Sequence, residues 1–202
     1  MEHREQKEHF EAPLGGGPFV PAVPIVPSSI AKDPVQASAD AFWGAYLATL
    51  PESEQQRSYF EAFQFGAGRA MADQLAHLVL DGIKTATSDL VWHIEAQGKA
   101  QWRVGDEHVV LDGDWRPVCV IRTTELDVIR FKDVDEAFAF DYGEGDRTLT
   151  WWREHVFAWY ANQCREISRE PAPEMPLLCE RFEVVYAPRR PVKVPSPMEG
   201  RG

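Results

Sequence analysis

Two short apolar runs either side of an Asp-Gly-Asp turn constrain this chain most. Glu107-His108-Val109-Val110-Leu111 leads into Asp112-Gly113-Asp114, and Val118-Cys119-Val120-Ile121-Arg122-Thr123-Thr124 follows. β-Branched residues interrupted by turn formers predict an antiparallel hairpin, with Val128 to Phe131 extending or following its second strand. Around it the hydrophobic period shifts to that of a helix. Phe42/Trp43, Tyr46/Leu47 and Leu50 recur at helical spacing from Asp40 until Pro51 stops them. Ala70 to Leu80 repeats that spacing, with Met71, Leu75, Leu78 and Val79 inward and Gly82 as its C-terminal cap. Val134 to Phe140 and Leu149 to Ile167 read as two further helices. Tyr59 to Phe65 reads as an aromatic strand, and Cys179 to Tyr186 as a last strand with Phe182, Val184 and Tyr186 alternating. Helices interspersed with mainly antiparallel strands imply an α+β, barrel-like fold, not a doubly wound sheet.

With 202 residues and 44% hydrophobic content, the chain has enough apolar surface for one sizeable core and is expected to form a single domain. The prolines of residues 18–27 remove backbone donors and forbid regular structure, so 1–37 is expected to be a disordered leader. Residues 188–202, rich in proline and basic groups, are expected to be a disordered tail. The formal net charge of −11 excludes a broad basic face for duplex DNA. No apolar run approaches the roughly 18–20 residues of a membrane span. Glu2, Glu5, Glu8 and Glu11 stand where a secretory signal would be positive, so a soluble cytoplasmic protein is expected. Cys119, Cys164 and Cys179 lie too far apart for a zinc knuckle or a disulfide framework.

Two segments can carry chemistry. In Gly82-Ile83-Lys84-Thr85-Ala86-Thr87-Ser88, a lysine and three hydroxyls follow a helix end. A phosphate-binding loop is excluded, because Ile83 separates Gly82 from Lys84 and His77 stands where the earlier glycine would be. Partial burial would lower the Lys84 pKa and make it a base for Thr87 or a cation under a phosphate. Alternatively, Lys84 caps the carbonyls of the preceding helix and Thr87 or Ser88 caps a following one. In Tyr142-Gly143-Glu144-Gly145-Asp146, two glycine-flanked carboxylates can approach a ligand, or Asp146 simply caps the next helix. Arg153 and His155 lie on that helix. Trp151, Trp152, Phe157, Trp159 and Tyr160 cover several of its faces, so most belong to the core.

Taken together, Gly82 to Leu90, Val104-Gly105-Asp106, Val110 to Gly113, Pro117 to Thr124, Gly143 to Asp146, Trp152 to His155 and Cys179 to Phe182 occur in the order and spacing of ASCH domains. Over residues 38–187 the chain resembles that family, its longer members above all. The resemblance implies a PUA-like fold, a small mixed β-barrel with flanking helices, whose partner is RNA or a modified nucleoside. It also implies two candidate hydrolytic activities. One resembles metal-dependent ribonucleases acting on single strands; Lys84 would stabilise the phosphate charge, and Glu144 or Asp146 would act as base or hold a divalent cation, manganese or magnesium. The other resembles amidohydrolases that deacetylate N4-acetylcytidine, whose Gly-x-Lys-x-x-Thr pattern falls on Gly82, Lys84 and Thr87 and whose acid falls on Glu144. Thr85, Ser88, Asp146, Arg153 and His155 would then contact substrate. A third reading is a non-catalytic RNA-binding module with a basic cleft drawn from Lys84, Arg122, Arg147 and Arg153. No cofactor is built in.

Overall fold

The computed structural model describes residues 33–188. The leader and tail expectations therefore lie almost wholly outside the described residues. In chain order the elements are α1 (Pro34–Leu47), β1 (Ala62–Phe63), α2 (Arg69–Leu80), β2 (Ala86–Leu90), α3 (Val91–Ala96), β3 (Glu107–Leu111), β4 (Pro117–Arg130), α4 (Glu136–Tyr142), α5 (Leu149–Glu166) and β5 (Pro176–Tyr186). Short 3-10 turns occupy Glu52–Glu54 and Phe131–Asp133.

The sheet order is β1-β3-β4-β5-β2. β1 pairs with β3 in parallel, and the other neighbours are antiparallel. The fold class is thus α+β. The five strands form an open sheet whose edges, β1 and β2, do not pair with each other. β4 and β5 pair along most of their length, from Val120 opposite Tyr186 to Arg130 opposite Pro176, with a bulge between Thr123 and Glu125. β3 joins the first half of β4 and β2 the first half of β5, so these two long strands hold the smaller ones in place.

The hairpin of β3 and β4 forms where the Asp-Gly-Asp turn predicts it. Asp112 Oδ1 accepts from the amides of Asp114 and Arg116, a local bond that makes aspartate a turn former. Val128 to Arg130 is a continuation of β4, not a separate strand. The first helix starts earlier than its apolar spacing suggests, because Pro34 fits the first helical position and Asp33 accepts from the Val35 amide. It ends at Leu47, before Pro51 is reached. The aromatic run from Tyr59 to Phe65 contributes only Ala62 and Phe63 to the ladder. Met71, expected inward, is exposed, and so is Val184.

The largest difference from expectation is β2. A helix was the alternative after Lys84, but Thr85 to Leu90 alternates strictly, with Ala86, Ser88 and Leu90 buried. Period-two burial is the mark of a strand. Lys84 and Ser88 occupy inward positions, so the hydrophobic pattern that would reveal the strand is absent. Neither Thr87 nor Ser88 caps a helix. The end of α2 closes through its own backbone: Gly82, at φ 68°, donates to Val79 O, and the Ile83 amide donates to Leu78 O. Lys84's ammonium is therefore not needed as a cap.

α5 lays Trp152, Val156, Tyr160 and Cys164 against Phe131, Phe138, Met175, Leu177 and Cys179. α2 places Leu75 and Val79 on Val110, Cys119, Ile121 and Phe182. α1 packs Ala39, Trp43 and Tyr46 on Val109, Leu111 and Val120. These helices leave a hollow near β2, whose wall includes the loop between α4 and α5. At Gly143, φ is 78° and an added Cβ would lie 2.5 Å from Ile83 O and 2.6 Å from Lys84 Cα. Gly143→Ala is expected to cost on the order of 2–4 kcal/mol, through a strained left-handed residue and a backbone clash. A urea denaturation midpoint equal to that of wild type would show that this loop is not held against Lys84.

Candidate active site

The hollow is a cavity of about 500 Å³ lined by parts of β1, α2, β2, β3, the α4–α5 loop, α5 and β5. Lys84 enters it from the link between α2 and β2 and is 1% exposed. A buried ammonium needs an acceptor for each of its three protons. Lys84 Nζ donates to Ala86 O at 3.0 Å, Tyr142 O at 3.1 Å and Glu144 Oε1 at 2.8 Å. The Tyr142 ring lies beneath it, with the centroid 3.7 Å away, and the Phe65 ring is 5.4 Å away. Burial pulls the Lys84 pKa down, while Glu144 and, more weakly, Glu180 pull it back up. Three acceptors and a ring face suit the ammonium at rest; desolvation brings the neutral amine within closer reach than it is for a surface lysine.

Across the cavity the balance is acidic. In the β2–β5 register Thr87 stands opposite Glu180, and Asp89 follows two residues along β2 on the same face as Thr87. Glu180 is 3% exposed and accepts from Thr123 Oγ1 at 2.5 Å. Burial pushes its carboxyl up to about 7, against the pull of that hydrogen bond, with Asp89 and Glu61 adding to the rise. Burial and then the charge of Glu61 push Asp89 up to about 7 as well. Desolvation also raises Glu61, which Lys99 partly offsets. His108 is 2% exposed, and burial lowers its pKa to about 4, so it is neutral. Among the described residues neither of its ring nitrogens has a hydrogen-bond partner. Ser88 Oγ and Tyr160 OH share a buried hydrogen bond of 2.7 Å.

The structure brings Lys84, Thr87, Ser88, Glu144 and His155 to this one cavity. His155 stacks on Trp151 at 4.1 Å between centroids and is exposed at the rim. Trp151 in turn packs on Gly145, where a Cβ would fall 2.1 Å from its ring. The other candidates do not line the cavity. Thr85 takes its amide and hydroxyl to Asp141 O and accepts from Phe182 N, as part of the backbone frame. Asp146 accepts from the amide and hydroxyl of Thr148 at the start of α5. Arg153 reaches back to Lys132 O and Val134 O.

The expected basic cleft is not assembled. Arg122 is tied to Glu107 and Glu183, and Arg147 lies over Phe140 and donates to its carbonyl. Lys84 is the one lysine or arginine among the described residues that line the cavity. Asp146 and Glu144 are turned to different partners, and the described residues contain no group of three or more His, Cys, Asp or Glu arranged for a metal ion. The two carboxylates do not converge on one position. None of the described helices is long and apolar enough to cross a membrane.

Sequence reasoning missed Tyr142 as a contact of Lys84, and it missed Glu61, Asp89, Trp102, His108 and Glu180 as cavity residues. The available signal was a charge in a strand: Glu180 follows the buried run Leu177, Leu178 and Cys179, and Asp89 sits between buried Ser88 and Leu90. The raised acids have a measurable consequence. An acid with a folded pKa near 7 and an unfolded value near 4 gives stability that is complete below pH 4 and is lost as pH rises towards 7. His108, depressed, acts in the opposite sense, losing stability as pH falls from 6.5 towards 4. Glu180→Gln should therefore gain stability relative to wild type between pH 5 and 7.5, by up to about 3 kcal/mol for a shift of this size. Urea denaturation at several pH values measures it, and a pH-independent difference would mean that Glu180 ionises normally.

A model of the ASCH domain matches residues 61–186. The crystal structure of an ASCH domain from Lactobacillus crispatus JV V101 is 31% identical, with a TM-score of 0.71 over 74% of this chain and 95% of that one. A protein from Enterococcus faecalis V583 is 27% identical, with a TM-score of 0.68 over 74% of this chain and 89% of that one. No curated protein matches. With a domain match over more than half its length and a near full-length fold match to a solved ASCH domain, the chain belongs to the ASCH-domain family.

Proposed function

We propose that this protein binds a modified nucleoside in the cavity and hydrolyses an acyl amide on its base, with Lys84, Thr87 and Glu144 as the reacting groups. The observation that carries this reading is the pair of buried Lys84 and half-buried Glu144, 2.8 Å apart, on the wall of a cavity that Thr87 also lines. About 500 Å³ falls within the range of small-ligand pockets, and Phe65, Trp102, Trp151 and Trp159 give its lining the aromatic surface that suits a base.

The pair supplies both a base and an acid. Transfer of one proton from Lys84 to Glu144 leaves a neutral amine and a carboxylic acid, and burial of Lys84 lowers the cost of its neutral form. The amine takes the Thr87 proton as Oγ attacks the acyl carbon. The carboxylic acid gives its proton to the departing nitrogen as the C–N bond breaks. Water then attacks the acyl-threonine, its proton passing to the Glu144 carboxylate. The acid leaves, and Lys84 returns a proton to Thr87.

The ribonuclease reading has less support. Glu61, Asp89 and Glu180 crowd one end of the cavity, Lys84 is the one basic side chain among the described residues that line it and is already paired with Glu144, and Asp146 is committed to Thr148, so little is left to hold a phosphodiester. Turnover of N4-acetylcytidine by the purified full-length chain tests the proposal. Lys84→Ala, Thr87→Ala and Glu144→Gln are each expected to reduce kcat by about 10²–10⁴-fold, the range of a general acid–base contribution. Equal turnover in wild type and all three variants, or none in wild type, would overturn it.

A further inference from the structure

The acidic half of the cavity has no role in that mechanism. Glu61, Asp89 and Glu180 converge there from three different elements or their flanks; beyond the effect of burial, Glu61 raises the pKa of Asp89, and both raise that of Glu180. Carboxyl groups brought together out of water repel one another unless a cation answers them. The protein's own cations answer poorly: Lys84 is bound to Glu144, and Lys99, which acts on Glu61 and Asp89, is exposed in the outer hollow beyond them. Phe63 and Trp102 line both hollows beside these acids. Aromatic faces beside carboxylates suit an organic cation, whose charge is spread over N–H and C–H groups.

His108 is the independent sign of a ligand. It lines the same cavity, is buried at 2% exposure, and both of its ring nitrogens lack partners among the described residues. A buried polar group left unsatisfied costs roughly 1–3 kcal/mol, and a bound polar ligand would recover it. The nearest carboxylate among the described residues is Glu61, 4.0 Å from Nδ1, beyond hydrogen-bond reach. Because the ring is neutral, it offers an acceptor nitrogen and adds no positive charge to oppose an ammonium.

On the nucleoside reading proposed above, we infer that the ligand carries an ammonium group, held among Glu61, Asp89, Glu180 and His108 with the rings of Phe63 and Trp102 beside it. The β2–β5 register sets its distance from the chemistry. Thr87 and Glu180 are directly opposite, with Cβ atoms about 5 Å apart, so the ammonium lies only a few bonds from the acyl carbon that Thr87 would attack. The favoured substrate class is then an aminoacyl amide of a nucleobase, with the simple acetyl amide a slower substrate of the same reaction.

Two cytidines that cannot be hydrolysed separate charge from shape: one bears an N4-(2-aminoethyl) group and the other an N4-propyl group of the same length. Calorimetric titration of the full-length protein at pH 7.5 should show the aminoethyl compound binding at least tenfold more tightly. In Glu180→Gln and in Asp89→Asn the preference should shrink to within about threefold while propyl binding persists, with a thermal melt confirming that each variant is folded. Equal affinity for the two compounds in wild type, or a preference unchanged in both folded variants, would overturn the inference. n-Butylammonium, titrated against n-butanol, tests the ammonium site without the nucleoside. If it binds selectively and neither cytidine does, the ammonium site stands and the nucleoside reading falls; if neither it nor the aminoethyl compound binds, the site is absent.

Discussion

A lysine ammonium with almost no access to water requires acceptors on all sides, and this requirement shapes the protein around Lys84. Its three protons go to β2, to the C-terminal residue of α4 and to the α4–α5 loop, which lie up to 60 residues from Lys84 in the chain. Removing any one of them would leave a buried charge short of a partner, a far larger penalty than the net contribution of the ion pair itself. Gly143 exists at its position because the loop must come within contact distance of the Lys84 backbone before Glu144 can reach Nζ. The pair is thus a geometric constraint first and a source of stability second.

The long β4–β5 ladder makes that constraint attainable. A single antiparallel frame carries β3 on one strand and β2 on the other, so the two ends of the cavity are fixed relative to one another by backbone hydrogen bonds. α5 closes one side through Trp152, Val156 and Tyr160 while turning Trp151, His155 and Trp159 to the cavity and its rim. One helix therefore serves both the core and the site. This is why its aromatic residues look unpatterned in sequence: their faces have different tasks.

Within the cavity the charge is divided. Lys84 and Glu144 form a closed pair at one end, and Glu61, Asp89 and Glu180 crowd together at the other. Burial raises the acids and lowers His108, so close to neutral pH much of this surface is uncharged yet rich in hydrogen-bonding groups. A site of that kind binds through complementarity of polar groups and responds to a cation by ionising. It gives little attraction to a long polyanion, in keeping with the chain's formal charge of −11.

The sequence by itself determined the local elements whose causes are local: the Asp112-Gly113-Asp114 hairpin, the α2 helix ending at Gly82, and the turn glycines around Glu144. The order of its motifs also pointed to the family, and to Lys84, Thr87 and Glu144 as residues to examine. It did not reveal β2, because Lys84 and Ser88 occupy the inward positions that a hydrophobic pattern would need to fill. Nor did it separate Ser88 and His155, which reach the cavity, from Thr85, Asp146 and Arg153, which serve the backbone and caps. Only the tertiary structure decided these points. Register across β2 and β5 is what sets Glu180 opposite Thr87, and the approach of the α4–α5 loop is what turns a surface-type lysine into a buried one. Both depend on contacts between residues far apart in the chain, which no local spacing encodes.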